Sequence, residues 1–212
     1  MSKKLTKNRL QLERRVLPQS LINTLHDIVA NPKSAQQAAK TYGGTANRDV
    51  RDTTLFEFND KSHPKEVERV RKSFESYFEN EKLNQCDLLY YGKGQHFSLH
   101  RDNDSKDPTA NVGGAGRNWS CSTLIHQSED LEGGDLLVYG PFSPERRETR
   151  PRVIRLNIGQ SVFFPSHWYH EVTPVTKGER IVLVSWLGDN PQDIPKLYEK
   201  EHLKRERKLH VL

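Results

Sequence analysis

Five residues hold most of the chemical content of this chain: His100, Arg101, Asp102, His170 and Arg180. His100 and Asp102 are two apart, and on a strand residues two apart project to the same side, so both can grip one cation while Arg101 faces away. A second imidazole closes such a site into a triangle, and two candidates stand well downstream, His167 and His170. Two histidines and a carboxylate on one face of an octahedral iron(II) leave its other positions open, which suits a bidentate 2-oxo acid and dioxygen. Arg180 adds a planar fork that can pair with the distal carboxylate of a dicarboxylate cosubstrate. Oxygenation is the chemistry expected of this set.

The elements that must position these groups divide near Gln85. Before it the sequence reads helical: from Pro18 to Ile28, Leu21, Ile22, Leu25 and Ile28 share a face, and Ser34 is placed to cap a second short helix. The run DTTLFEF (52–58) reads as a strand, and His63-Pro64 opens a helix carrying Val67, Val70, Phe74 and Phe78 on one side. After Gln85 come short β-rich runs broken by Gly, Pro, Asn and Asp: CDLLYYG, SCSTLIH, GDLLVYG, RVIRLNI, QSVFFP, HEVTPV and RIVLVSW. Many short strands with turn signals argue for a sandwich or barrel. Residues 157–160 and 176–179 read as hairpin connections with a glycine at a positive φ. If Lys177-Gly178 is such a tip, Arg180 lies roughly 13 Å along the paired strand from His170, at about 3.3 Å per residue. The polar, glycine-rich stretch 103–118, directly after Asp102, reads as a lid or a loop that contacts substrate. Residues 194–209 alternate apolar and charged positions as an amphipathic terminal helix.

A chain of 212 residues with 33% hydrophobic content supports one sizeable core,. A single domain is expected over 1–212, with helical support and one strand in 1–84, a β core in 85–188 and a terminal helix in 189–212. Net charge is +5 and the isoelectric point about 9.1. The basic residues gather at both termini and in Arg146, Arg147, Arg150 and Arg152, where solvated surface explains them, and no nucleic-acid motif accompanies them. Cys86 and Cys121 lack metal spacing and read as reduced core residues. No stretch approaches the ~18 apolar residues of a membrane span, and the N-terminus lacks the apolar core of a signal peptide. The expectation is a soluble cytoplasmic protein.

Taken together, the stretch Tyr90-Tyr91-Gly-Lys-Gly-Gln-His-Phe97-Ser-Leu-His100-Arg-Asp102-Asn103 resembles the first metal motif of the 2-oxoglutarate- and iron(II)-dependent prolyl hydroxylase family. STLIHQSEDLEGGDLLVYG, GQSVFFPS and HEVTPVTKGER resemble its remaining core motifs, so the resemblance runs from about Asp87 to Leu187. It implies a mainly β fold with flanking helices, the double-stranded β-helix, a jelly-roll or cupin-like barrel with the metal near its open end. It implies Fe(II) held by His100, Asp102 and His170. His170 is preferred to His167 because the family's distal histidine directly precedes the run that ends here in Arg180. It also implies 2-oxoglutarate held by Arg180 and Tyr90, and L-ascorbate as a possible reductant. Tyr91 competes with Tyr90, and even spacing from His100 favours Tyr90. His126 stands where relatives often carry an aromatic or apolar residue facing the cosubstrate. The implied reaction is hydroxylation of a prolyl residue in a peptide or protein, with 2-oxoglutarate leaving as succinate and CO₂.

Other readings stand beside it. Lysyl residues or free amino acids are alternative substrates. A nucleic-acid demethylase suits the basic charge, yet such enzymes carry two arginines flanking an asparagine after the distal histidine, where this chain reads Arg180-IVLVSWL. A metal-binding β-barrel without oxygenase activity, such as a zinc hydrolase, would leave Arg180 and the tyrosines unexplained.

Overall fold

The computed structural model describes residues 4–5, 9–31, 36–38, 47–78, 81–103, 116–140 and 150–188. In chain order these form β1 (Gln11–Arg14), α1 (Gln19–Ala30), β2 (Gln36–Ala38), β3 (Arg51–Asp52), β4 (Thr54–Phe56), α2 (Pro64–Tyr77), β5 (Lys82–Tyr91), β6 (His96–His100) and β7 (Arg117–Gln127). There follow β8 (Glu132–Gly133), β9 (Leu136–Gly140), β10 (Arg152–Ile154), β11 (Gln160–Pro165), β12 (Tyr169–Val172), β13 (Val175–Lys177) and β14 (Arg180–Gly188). Among these residues no helix is long and apolar enough to cross a membrane.

The strands pair antiparallel in a large sheet, β1-β11-β7-β14-β5-β4-β2, a smaller one, β10-β9-β12-β6-β3, and the short pair β13-β8. Strands β5, β7 and β14 form the centre of the large sheet; β7 and β14 are buried along most of their length and β5 along half of it, because both faces are covered. One face receives the helices. Leu21, Ile22 and Leu25 of α1 and Val67, Val70 and Phe74 of α2 pack with Leu88, Cys121, Ile125, Phe163, Ile181, Leu183 and Leu187. Period-two alternation then sends the neighbouring side chains to the opposite face. There Leu89, Tyr91, Leu124 and Val182 join Val175 in one cluster, and Val162 and Phe164 meet Leu136 and Val138 of the smaller sheet in another. The space between the two sheets is therefore a barrel interior, and the helices lie outside it.

Three sequence expectations change. Gln36–Ala38, expected to be helical after Ser34, is a strand paired with Thr54–Phe56. The single strand expected over 52–58 is split, β3 pairing with β6 in the smaller sheet and β4 with β5 in the large one. The two glycine turns are not hairpins: β10 pairs with β9 while β11 pairs with β7, and β13 pairs with β8 while β14 pairs with β5 and β7. Gly159 and Gly178 do adopt positive φ, 81° and 71°, but each turn carries the chain from one sheet to another. The terminal helix over 194–209 and most of the 103–118 loop lie outside the described residues. Cys86 and Cys121 are free and buried; Ser185 of β14 is the Cα partner of both and lies between them.

Candidate metal centre

His100 closes β6, and His170 on β12 is its direct cross-strand partner. Asp102 follows in a bend just past the end of β6. The histidine rings come to 4.2 Å between centroids. His100 Nε2 lies 3.5 Å from Asp102 Oδ1, and His170 Nε2 lies 3.4 Å from Oδ2. One ligand atom from each residue can be chosen so that all lie within 4.8 Å of one another, the only such group of three among the described residues. His167 is exposed and stands outside it. His126 faces α1, with its ring 4.8 Å from that of His26, and His96 lies near the backbone carbonyls of Gly94 and Asp49.

The imidazoles are oriented by backbone. Each Nδ1 points at a carbonyl two residues earlier, His100 at Ser98 (2.7 Å) and His170 at Trp168 (3.0 Å). A carbonyl only accepts, so Nδ1 carries the proton and Nε2 presents its lone pair inward when the ring is neutral. Phe97 stacks on His100 at 3.6 Å and Phe164 meets His170 edge-on at 4.8 Å, so each ring is held in its own plane, the two tilted by 55°. Burial, with the neighbouring His170, pulls the His100 pKa down. Burial pulls His170 down too, but the Asp102 carboxylate overrides it and the net shift is upward. Burial opposes ionisation of Asp102, yet both imidazoles outweigh it and hold the carboxyl well below its usual range. Two inward lone pairs and a buried carboxylate make a donor set of the two-nitrogen, one-oxygen type that fits Fe(II).

Arg180 opens β14, cross-strand from Tyr91 on one side and Gln127 on the other. It is 7% exposed. Its Nη1 donates to the Gly134 carbonyl, its Nε has no partner, and the guanidinium sits 5.8 Å from the centre of the Tyr91 ring. Burial lowers its pKa. A desolvated guanidinium with an unused donor calls for an anion. The glycine turn serves this arginine: Gly134 has φ 63°, and a Cβ there would come within 3.2 Å of Arg180 Cδ and 2.9 Å of Val175 Cγ2. Tyr91, His100, Asp102, His170 and Arg180 all line one cavity of about 510 Å³, counted with its open mouth.

Tyr90 is not among them. It lies on the helix side, packed against that cluster, with its hydroxyl donating to Glu179 Oε2 at 2.7 Å. Tyr90, expected to face the cosubstrate, therefore does not line this cavity, whereas Tyr91 does. The sequence also gave no notice of Ser120, whose hydroxyl donates to Asp102 Oδ2 at 2.5 Å. A polar SCST run inside an otherwise apolar strand was its one visible signal.

Residues 86–188 match the family profile of the 2OG-Fe(II) oxygenase superfamily. Over those residues, a little under half of its length, the chain is similar to members of that superfamily. A PKHD-type hydroxylase of Nitrosomonas eutropha is 29% identical over 104 residues, covering 49% of this chain and 43% of that one. Another, from Alteromonas mediterranea, is 34% identical over 74 residues, covering 35% of this chain and 30% of that one. The chain thus spans less than half the length of these relatives. Among solved structures, a Pseudomonas putida prolyl-4-hydroxylase superposes with a TM-score of 0.57 at 16% identity, covering 86% of this chain and 94% of that one. A prolyl hydroxylase solved with a hypoxia inducible factor peptide fragment from Trichoplax adhaerens gives 0.62 at 17% identity, covering 86% and 84%. These likenesses give the oxygenase-superfamily fold, the double-stranded β-helix, in agreement with the two facing antiparallel sheets.

Proposed function

We propose that this chain is an Fe(II)- and 2-oxoglutarate-dependent oxygenase that hydroxylates a prolyl residue in a peptide or protein. One observation carries the oxygenase reading: a two-histidine, one-carboxylate cluster and a buried arginine with an unused donor share a single cavity. A zinc hydrolase would have no use for that arginine. In this reading His100, Asp102 and His170 hold Fe(II), and Arg180 with Tyr91 holds the distal carboxylate of 2-oxoglutarate. When bound, the metal and cosubstrate supply the oxidising power to insert one oxygen atom of O₂ into a C–H bond, while 2-oxoglutarate leaves as succinate and CO₂.

The chain's own residues do the positioning. Ser98 and Trp168 carbonyls hold the imidazole tautomers, and Arg180 fixes the far end of the diacid through charge-assisted bonds. Tyr91 is buried, which pushes its phenol pKa up and keeps it a donor at neutral pH. Leu89, Leu136, Val172, Val182 and Val184 line the remaining wall and keep water from the reacting centre,.

The prolyl assignment is supported by the names of the relatives, PKHD-type hydroxylases and prolyl hydroxylases. Proline also suits an extended groove, since its fixed φ lowers the entropy lost on binding. The test is aerobic incubation with Fe(II), 2-oxoglutarate and L-ascorbate as reductant against proline-rich peptides, lysine-containing peptides, free amino acids and methylated single-stranded DNA. Mass spectrometry should find one added oxygen atom on a prolyl peptide. Modification of another substrate alone would overturn the prolyl assignment, and the absence of 2-oxoglutarate-dependent succinate with every substrate would overturn the oxygenase reading.

A further inference from the structure

Asp102 lies beyond the last residue of β6, so the strand ladder that fixes His100 does not reach it. Its anchorage comes instead from the large sheet. The backbone N–H groups of Asp102 and Asn103 both donate to the Ser166 carbonyl at 3.0 Å, and the Ser166 N–H donates to the Asn118 carbonyl at 3.0 Å. The Asn103 side chain adds a bond from Nδ2 to the Arg117 carbonyl at 2.7 Å. These contacts fix the backbone of Asp102 while leaving its carboxylate free to rotate.

The carboxylate is held by a buried hydroxyl. Ser120 of β7 donates to Asp102 Oδ2 at 2.5 Å, and Ser166 Oγ lies 3.0 Å from Ser120 Oγ. Ser120 is the donor in both contacts and has a single proton, so the two compete for it, and the shorter bond, to the carboxylate, takes the larger share,. Both serines are almost completely buried, at 1% and 0% exposure. In that setting a hydroxyl is retained at a cost unless its bonds are made. With Oδ2 held by Ser120, Oδ1 is the oxygen without a serine upon it.

We infer that Ser120 is a positioning residue that aims the Asp102 carboxylate at the metal and keeps one oxygen available as its donor. This rests on the metal-centre reading proposed above. Partners of this kind, which orient a ligand from outside the coordination sphere, typically govern metal affinity by 10- to 100-fold. A useful contrast lies on the same sheet. Ser161 is equally buried and shares a 2.7 Å hydroxyl bond with Thr123, but it touches none of the three ligand residues.

The test is titration of the full chain with Co(II), following affinity and the visible absorption of the bound ion, with circular dichroism as a check on folding. Ser120→Ala should lose about 10- to 100-fold in affinity and change the Co(II) absorption. Ser120→Thr, which keeps the hydroxyl, should recover most of the affinity. Ser166→Ala, which keeps the backbone anchor and removes only the competing acceptor, should keep the affinity. Ser161→Ala should match the wild type. Wild-type affinity in Ser120→Ala, or an equal loss in Ser161→Ala, would overturn the inference and leave the metal centre standing. If the wild type bound Co(II) no better than Asp102→Ala, the metal-centre reading itself would fall and this inference with it.

Discussion

Replacing Arg180 with alanine tests the cosubstrate assignment most directly. Its guanidinium is buried, one donor is spent on the Gly134 carbonyl and Nε is unused. A dicarboxylate arriving there gains charge-assisted hydrogen bonds worth about 1.5 to 3 kcal/mol in net terms. At about 1.4 kcal/mol per factor of ten, Arg180→Ala should weaken 2-oxoglutarate binding by about ten- to hundredfold. Metal affinity should stay the same, because none of the three ligand residues leans on this side chain. Lysine restores the charge without the fork and should recover only part of the loss. Calorimetric titration of 2-oxoglutarate into Mn(II)-loaded protein measures the effect. A 2-oxo acid without the distal carboxylate provides the control, since wild type and variant should bind it equally. Equal 2-oxoglutarate affinity in wild type and Arg180→Ala would refute the reasoning.

Alanine at His100, Asp102 or His170 should abolish iron-dependent turnover with the circular dichroism spectrum retained, whereas His167→Ala should be mild; the reverse pattern for the two distal histidines would place the metal elsewhere. Tyr91→Phe should weaken 2-oxoglutarate several-fold and Tyr90→Phe should leave it unchanged, as calorimetry would show. In the metal-free protein the raised His170 pKa means that its ion pair with Asp102 stabilises the fold below about pH 6.5. That contribution is lost as pH rises through the folded value. Metal affinity runs the other way, since the ligand must be neutral, and should climb with pH by up to about tenfold per unit for each proton released. A flat profile across the imidazole range would contradict this.

The His-Asp-His cluster was legible because two of its members are two residues apart, His100 closing β6 and Asp102 in the bend just past it, and the third precedes a distinctive run ending in Arg180. The parity argument for Tyr90 failed for a physical reason. Counting even steps from His100 assumes an unbroken strand, but Gly92 to Gln95 turn the chain between β5 and β6, with Gly94 at φ 85°, and the two strands belong to different sheets. Turn chemistry likewise marked where the chain bends at Gly159 and Gly178 without stating which strand would receive it. Ser120 was illegible because its partner is eighteen residues away in sequence, and only the tertiary fold brings them together.

The two-faced central strands also make Arg180 a guardian of strand alignment. On β14, Arg180, Val182 and Val184 face the cavity, whereas Ile181, Leu183 and Leu187 face the helices. A slip of one residue would exchange these sets. It would press the guanidinium into the apolar seam beneath α1 and α2, at a heavy desolvation cost. The same charge proposed to bind a dicarboxylate thereby rejects the misaligned barrel, so loss of Arg180 should loosen the fidelity of folding.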